Sequence, residues 1–169
     1  MRTGIGYDIH RLIPTIEKNT LPIGGVEIPA YSRVHAHSDG DVLFHALVDA
    51  CLGALALGDI GQWFSDKDPK HKNRKSEEFL RPVLAQIKSI GYEIHNIDSI
   101  LFLENPKIAP FCDSIRRNIA SILGMELHAV SIKAKTMEGL GPIGENKAIA
   151  AQVVVTLKEL SKHGSPRHQ

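Results

Sequence analysis

The sequence predicts an α+β fold, an α/β sandwich in which helices cover one face of a mixed four- to five-stranded sheet. Three observations carry that prediction. Segments with two-residue alternation or β-branched runs take turns with segments whose apolar residues recur every three or four positions. The length, 169 residues with 43% hydrophobic, suits one compact core. No internal repeat or low-complexity linker divides the chain, so residues 1–160 read as a single domain and residues 161–169, Ser161 to Gln169, as a flexible C-terminal tail.

The first element is a strand over Thr3–His10, in which Asp8 and His10, two residues apart, project from the same face. Gly24-Gly25, between Leu21-Pro22-Ile23 and Val26-Glu27-Ile28, predicts a hairpin, followed by a loop through His35 to Asp41. A helix follows on Phe44, Leu47, Val48, Cys51 and Leu55, with Ser38 or Asp39 as its cap and Gly58 as its stop. The stretch from Asp59 to Lys75 has neither period and reads as a functional loop. A second helix, capped by Ser76 and favoured by Glu77 and Glu78 near its positive end, runs through Leu80, Val83, Leu84 and Ile87 to Gly91. Pro82 inside it requires a later start or a bend. Ile97–Leu103 is the next strand, Phe111–Leu123 a helix ended by Gly124, Ala129–Lys135 a strand, and Ile149–Leu157, with its Val153-Val154-Val155 run, the strand that closes the sheet.

Composition excludes whole classes of function. With 20 Lys+Arg against 19 Asp+Glu, the formal charge is +1, and no run of like charges offers a nucleic-acid-binding arm. No stretch approaches the roughly 20 apolar residues that span a bilayer, and Met1 to Asp8 lacks a signal-peptide core. The expectation is a cytoplasmic protein with neither nucleic-acid nor membrane partners. Cys51 and Cys112 sit in apolar helical patterns without CxxC spacing, so they are expected to be buried thiols rather than a disulfide.

The sharpest chemical feature is a set of carboxylates and imidazoles. Asp41, His45 and Asp49 recur every four residues and so share one helix face, roughly opposite the apolar stripe. A solvated surface is the bland reading of that face. Asp8 and His10 on one side of a strand, joined by His45, would instead make a three-ligand site of the Asp, His, His type, which suits Zn²⁺ and leaves a fourth position open. Ser38, His37 and the amides at the helix start favour a phosphate oxygen there. Spacing alone does not bring residues 8, 10 and 45 together.

Several motifs in order then carry a family resemblance: Gly6-Tyr7-Asp8-Ile9-His10-Arg11, Ala36-His37-Ser38-Asp39-Gly40-Asp41 with His45-Ala46-Leu47, Ala56-Leu57-Gly58-Asp59-Ile60-Gly61, Pro106-Lys107-Ile108 and Glu138-Gly139-Leu140-Gly141. The chain resembles the 2-C-methyl-D-erythritol 2,4-cyclodiphosphate synthase family of the non-mevalonate isoprenoid pathway over nearly its whole length. The resemblance implies a CMP-releasing phosphorus–oxygen lyase, with the 2-phosphate of 4-diphosphocytidyl-2-C-methyl-D-erythritol 2-phosphate attacking the β-phosphorus of the same molecule. It implies one Zn²⁺ per subunit on Asp8, His10 and His45, and Mg²⁺ or Mn²⁺ on Glu138 with the substrate diphosphate. It also implies a homotrimer whose sheets face the threefold axis and whose active sites are completed by neighbouring chains.

Residue by residue, His37 and Thr136 match the family's pair that stabilises the transition state, and Ser38 matches a phosphate contact. Outside the family, His37 would read as an ordinary loop histidine and Thr136 as a strand-end residue. Asp59, Ile60, Gly61, Phe64, Ser65, Asp66, Lys67 and Asp68, with Lys72, fall in the segment that receives the methylerythritol phosphate. Leu103, Pro106, Lys107, Ile108 and Ala109 match the segment that reads cytosine through backbone groups, and Ala134, Lys135, Thr136, Met137 and Glu138 complete the implied substrate contacts.

Departures from the pattern bear on the same sites. The usual Lys-Ala-Thr-Thr-Thr-Glu is here Lys133-Ala134-Lys135-Thr136-Met137-Glu138. Pro142 and Glu145 stand where an aromatic and an arginine are common, and the reversed charge at Glu145 argues against a prenyl diphosphate in the trimer channel. Lysines 107, 133 and 135 are expected around phosphates, facing the acidic and histidine cluster. Two other readings compete with the synthase: a zinc-dependent phosphatase or other phosphoryl transferase, and a metal-stabilised oligomer without catalysis.

Overall fold

The computed structural model describes residues 1–64 and 74–160. Ser65, Asp66, Lys67, Asp68, Lys72 and the tail from 161 lie outside the described residues. Five strands form one mixed sheet: β1 (Arg2–Ile23), β2 (Val26–His35), β3 (Tyr92–Phe102), β4 (Val130–Lys135) and β5 (Ala148–Glu159). Their order is β2-β1-β5-β3-β4, with only the β3–β4 pair parallel. The last strand therefore does not close the sheet at an edge. It enters the middle, antiparallel to β1 and β3, which explains its buried valines.

The first strand is longer than the alternation at its start suggests. It pairs with β5 through Arg11 and with β2 from Arg11 onward, and its register against β2 breaks between Pro14 and Asn19. Gly24 and Gly25, both at positive φ, make the expected two-residue turn. His35 is the last residue of β2 rather than part of a loop, because the pairing Arg11↔His35 extends the strand.

The helices are α1 (Val42–Ala54), α2 (Ile60–Trp63), α3 (Glu77–Ser89), α4 (Cys112–Leu123) and α5 (Gly141–Gly144). Among the described residues, no helix is long and apolar enough to cross a membrane. Four sequence expectations change here. The cap of α1 is Asp41, not Ser38 or Asp39, and the helix ends at Ala54, four residues before Gly58, with Ala56 already at positive φ. Asp59 caps a single helical turn, α2, inside the stretch read as a loop. Ser76 adopts helical angles and makes no side-chain cap bond. Pro82 is accommodated inside α3, which starts at Glu77 as expected. Gly124 ends α4 in the left-handed conformation, as the pattern predicts.

The two faces of the sheet differ. Gly4, Gly6, Asp8, His10 and Leu12 of β1 face the helices, and α1 lies directly on that row. A Cβ on Gly6 would fall 2.0 Å from the carbonyl oxygen of Ala46, and one on Gly4 2.0 Å from that of Ala50. Only glycine permits so close an approach of helix to strand. The core on this side is built from α1, Leu80, Val83 and Ile87 of α3, Ile115 and Ile119 of α4, and Val153, Val155 and Leu157 of β5. The alternate residues Ile5, Tyr7 and Ile9 are 61, 53 and 47% exposed, beside half-buried Val154, Ile100 and Phe102 on the same uncovered face. Cys51 is buried in α1, its thiol pushed up to about 12 by burial, while Cys112 is half-buried; both are free.

Candidate metal centre

The glycine row of β1 determines where the candidate ligands meet. Ala50 lies over Gly4 and Ala46 over Gly6, so α1 runs antiparallel to β1 and its first turns arrive over Asp8 and His10. Asp41 anchors that end. Its Oδ1 accepts from the amides of Leu43 and Phe44 at the helix start and from Gly24, and its Oδ2 accepts from Gly25, 2.7–3.1 Å away. Burial raises the Asp41 pKa, opposed by those same amides. Asp41 is thus a buried anchor, and the proposed polar face of Asp41, His45 and Asp49 opposite an apolar stripe is not what forms. The helix is buried on nearly every side, His45 turns to β1, and Asp49 accepts the amide of Ile60 at 2.7 Å. Burial raises the Asp49 pKa.

The structure brings Asp8, His10 and His45 together. Asp8 Oδ2 is 3.0 Å from His10 Nε2 and 2.9 Å from His45 Nδ1, and the two ring nitrogens are 3.0 Å apart. These three are the one group of at least three potential ligands among the described residues that converges closely enough to share a metal ion. The donor set fits a divalent metal: two imidazoles and a carboxylate each turn a potential ligand atom toward one point, the Asp, His, His set that suits Zn²⁺. Burial pushes the Asp8 carboxyl up, but the hydrogen bonds and charges of His10 and His45 outweigh it and hold Asp8 well below the usual carboxylate range. Burial likewise pushes the His45 ring down. The bond and charge of Asp8, with the charges of Asp41 and Asp39, outweigh that and raise it above its ordinary 6.5.

The other face of the His45 ring meets hydroxyls. Ser76 Oγ lies 2.8 Å and Ser38 Oγ 3.2 Å from Nε2. Phe79 packs 6.2 Å away, centroid to centroid, and stacks on Phe64 at 4.8 Å. The Ile60 amide bond to Asp49 and the Phe64–Phe79 contact hold the segment Asp59–Phe64 beside α1, within one ring of His45. His37 is exposed in the loop before Asp41. Ser76, Asp39, Asp41 and Asp49 were missed as parts of this site. The one available signal was the run Gly4, Gly6, Asp8, His10, in which two small residues and two ligands share one face.

The remaining predicted residues gather elsewhere, at the C-terminal ends of β3 and β4. The Leu103 amide donates to the Lys135 carbonyl at 3.0 Å, and Glu104 accepts from the Met137 amide at 3.1 Å. The Asn105–Pro106 bond is cis, Ile108 is buried, and Glu138 has positive φ with its Oε1 3.4 Å from Thr136 Oγ1. Asp8, Ala151, Leu101 and Ala134 lie in one row across the sheet. Three strand spacings, about 14 Å, therefore separate the two residue sets within a chain. Lys133 does not face the triad: it is bound to Asp98 on the uncovered side, and Lys135, two residues on, shares that side. Within one chain, strand alternation therefore keeps Lys133 and Lys135 from confronting the metal cluster.

Comparison with known proteins identifies the family. The YgbB family pattern matches residues 1–158. The 2-C-methyl-D-erythritol 2,4-cyclodiphosphate synthase of Treponema denticola is 50% identical over 151 residues, 89% of this chain and 92% of that protein. The structure of IspF from Plasmodium falciparum in complex with CDP matches with a TM-score of 0.83 at 39% identity, covering 95% of this chain and 97% of that one. The bifunctional IspDF from Campylobacter jejuni matches with a TM-score of 0.88 at 39% identity over 94% of this chain, which spans only 42% of that longer enzyme. On sequence and fold together, the chain belongs to the YgbB family.

Proposed function

We propose that this chain converts 4-diphosphocytidyl-2-C-methyl-D-erythritol 2-phosphate to 2-C-methyl-D-erythritol 2,4-cyclodiphosphate and CMP, a step of the non-mevalonate isoprenoid pathway. The relatives' names supply the cyclodiphosphate product, and the family resemblance implies the substrate and the release of CMP. The observation that carries it to this chain is the convergence of Asp8, His10 and His45 beside Ser38 at the start of α1. Nucleophile and electrophile belong to one substrate, so the protein's work is to fold that substrate in line and to offset its crowded negative charge. In this reading Asp8, His10 and His45 hold Zn²⁺, and Glu138 reaches a Mg²⁺ or Mn²⁺ on the diphosphate. Bound divalent metal supplies Lewis-acid charge neutralisation at the phosphate oxygens. Ser38 orients a phosphate, His37 and Thr136 donate to the oxygens that gain charge, and Asp59, Ile60, Gly61 and Phe64 take the methylerythritol end. Leu103–Ala109 and 134–138 take the cytidine.

A homotrimer completes the reading, with residues 1–160 as one domain per subunit. Two features support it: the uncovered apolar face around Ile5, Tyr7 and Ile9, and the about 14 Å between the triad and the nucleotide segments, which lets neighbouring chains each supply half of a site. Glu145, paired with Lys147 at the exposed turn after α5, gives no cationic support for a prenyl diphosphate on the threefold axis.

The test is direct. Chain incubated with the diphosphocytidyl substrate and Mg²⁺ should release CMP and cyclic diphosphate in equal amounts; linear phosphate products would establish a phosphatase instead. His45→Ala should lower zinc content and turnover together, by at least about tenfold, because a third ligand is lost. Zinc content unchanged by that substitution would overturn the ligand assignment, and zinc bound without any turnover would favour the non-catalytic oligomer.

A further inference from the structure

We propose that Asp39 and Ser76 form a positioning relay that keeps a proton on His45 Nε2, so that Nδ1 presents its lone pair to the metal. The relay rests on the metal reading of Asp8, His10 and His45. Its three members are adjacent: the Ser76 hydroxyl donates to Asp39 Oδ1, and the same oxygen of Ser76 lies 2.8 Å from His45 Nε2. Two of the three are enclosed, and Asp39 is half-buried. Ser76 is fully buried, and His45 has a side chain only 12% exposed.

Hydrogen-bond direction follows from donor count. An ionised carboxylate only accepts, so the single hydroxyl proton of Ser76 goes to Asp39. Ser76 Oγ then has only lone pairs to offer His45, so in the 2.8 Å contact Nε2 is the donor. Asp39 is locked in that role, because its Oδ2 accepts the Ser76 amide at 2.9 Å and its Oδ1 the Asp41 amide at 3.2 Å. Ser38 competes for Nε2 at the longer 3.2 Å while accepting the Gly40 amide. On the opposite edge of the ring, Nδ1 is the nitrogen that faces Asp8 and His10. The relay therefore fixes ring orientation and proton position together, which is what an outer-shell partner does for a ligating histidine. It also links the loop before α1 to the start of α3, two segments 37 residues apart.

The bland alternative is that Asp39 and Ser76 only knot the two helix starts together. The experiment separates these. Zinc affinity is measured by competition with a chromophoric chelator, and the protonated nitrogen of His45 by nitrogen NMR of the zinc-loaded chain. Ser76→Ala should weaken zinc binding by roughly 10–100-fold, shift the His45 proton away from Nε2, and be rescued by Ser76→Thr. Asp39→Asn, which places a donor where an acceptor stood, should weaken zinc in the same way.

Zinc affinity within twofold of wild type in Ser76→Ala, or a loss that Ser76→Thr does not restore, would overturn the relay. If Ser76→Ala does not fold, the unmutated zinc-loaded chain decides: zinc on Nε2 with the proton on Nδ1 overturns the relay, and zinc on Nδ1 with the proton on Nε2 supports it. A wild-type chain that binds no zinc would overturn the metal reading and the relay with it, whereas zinc bound with the His45 proton on Nδ1 would overturn the relay alone.

Discussion

The two faces of β1 make opposite demands on neighbouring residues. On the helix side, Gly4 and Gly6 have no side chain to bury, and their absence of Cβ atoms draws α1 onto the strand until His45 meets Asp8 and His10. On the other side, Ile5, Tyr7 and Ile9 are large, apolar and exposed in the single chain. One face is overdetermined by contacts within the chain, and the other is left for contacts outside it. A single strand thus alternates between building a site and offering a surface for assembly, with a period of two residues.

The comparison can be broken hardest at Gly6. Gly6→Ala places a Cβ against the backbone of α1, which cannot turn aside as a side chain would. Thermal unfolding should show a loss of about 3 kcal/mol or more, and chelator titration should show weakened zinc binding as α1 is pushed from the strand. Normal zinc affinity in a folded Gly6→Ala chain would mean that the close approach does not place the ligands. Ile5→Asp attacks the other face. Sedimentation velocity should show the proposed trimer dissociating, at a cost of about 2 kcal/mol per subunit in lost apolar burial, while each chain keeps its helix content. The smallest effect is expected at Lys133→Ala. The Lys133–Asp98 pair is nearly half exposed in the single chain, so denaturant unfolding should change by no more than about 1 kcal/mol. A loss several times larger would show that assembly encloses this pair and that the uncovered face is buried further out than the apolar strip around Ile5.

Local signals were legible and tertiary choices were not. Gly24-Gly25, the Gly124 stop and the β4 strand each depend on a few adjacent residues, and the structure has them where the pattern puts them. The cap of α1 was different, because Ser38, Asp39 and Asp41 are all competent cap residues. Asp41 is selected by Gly24 and Gly25, sixteen to seventeen residues away, whose amides only its carboxylate reaches. Asp39 is thereby released to hold Ser76, so one misread cap hid two further roles. Asp49 looked solvated because the pattern cannot show that α2 folds over it. Lys133 was misplaced for a simpler reason. Its charge suggested phosphate, while its parity along β4, opposite to that of Ala134, already assigned it to the far side. The triad itself was legible as a composition of ligands; its convergence depended on the glycine row, whose meaning appears only when a helix lies on it.

Asp41 carries one more consequence, for the order in which the chain folds. The same carboxylate closes the β1–β2 turn and the first turn of α1, so neither is fully satisfied without the other. Turn and helix start lie close in sequence, whereas β5 must return from the far end of the chain to complete the sheet. Short loops close before long ones. The hairpin and the front of α1 are accordingly expected to form first, as a local unit that carries His45 over β1, with Ser76 fixing its ring when α3 docks.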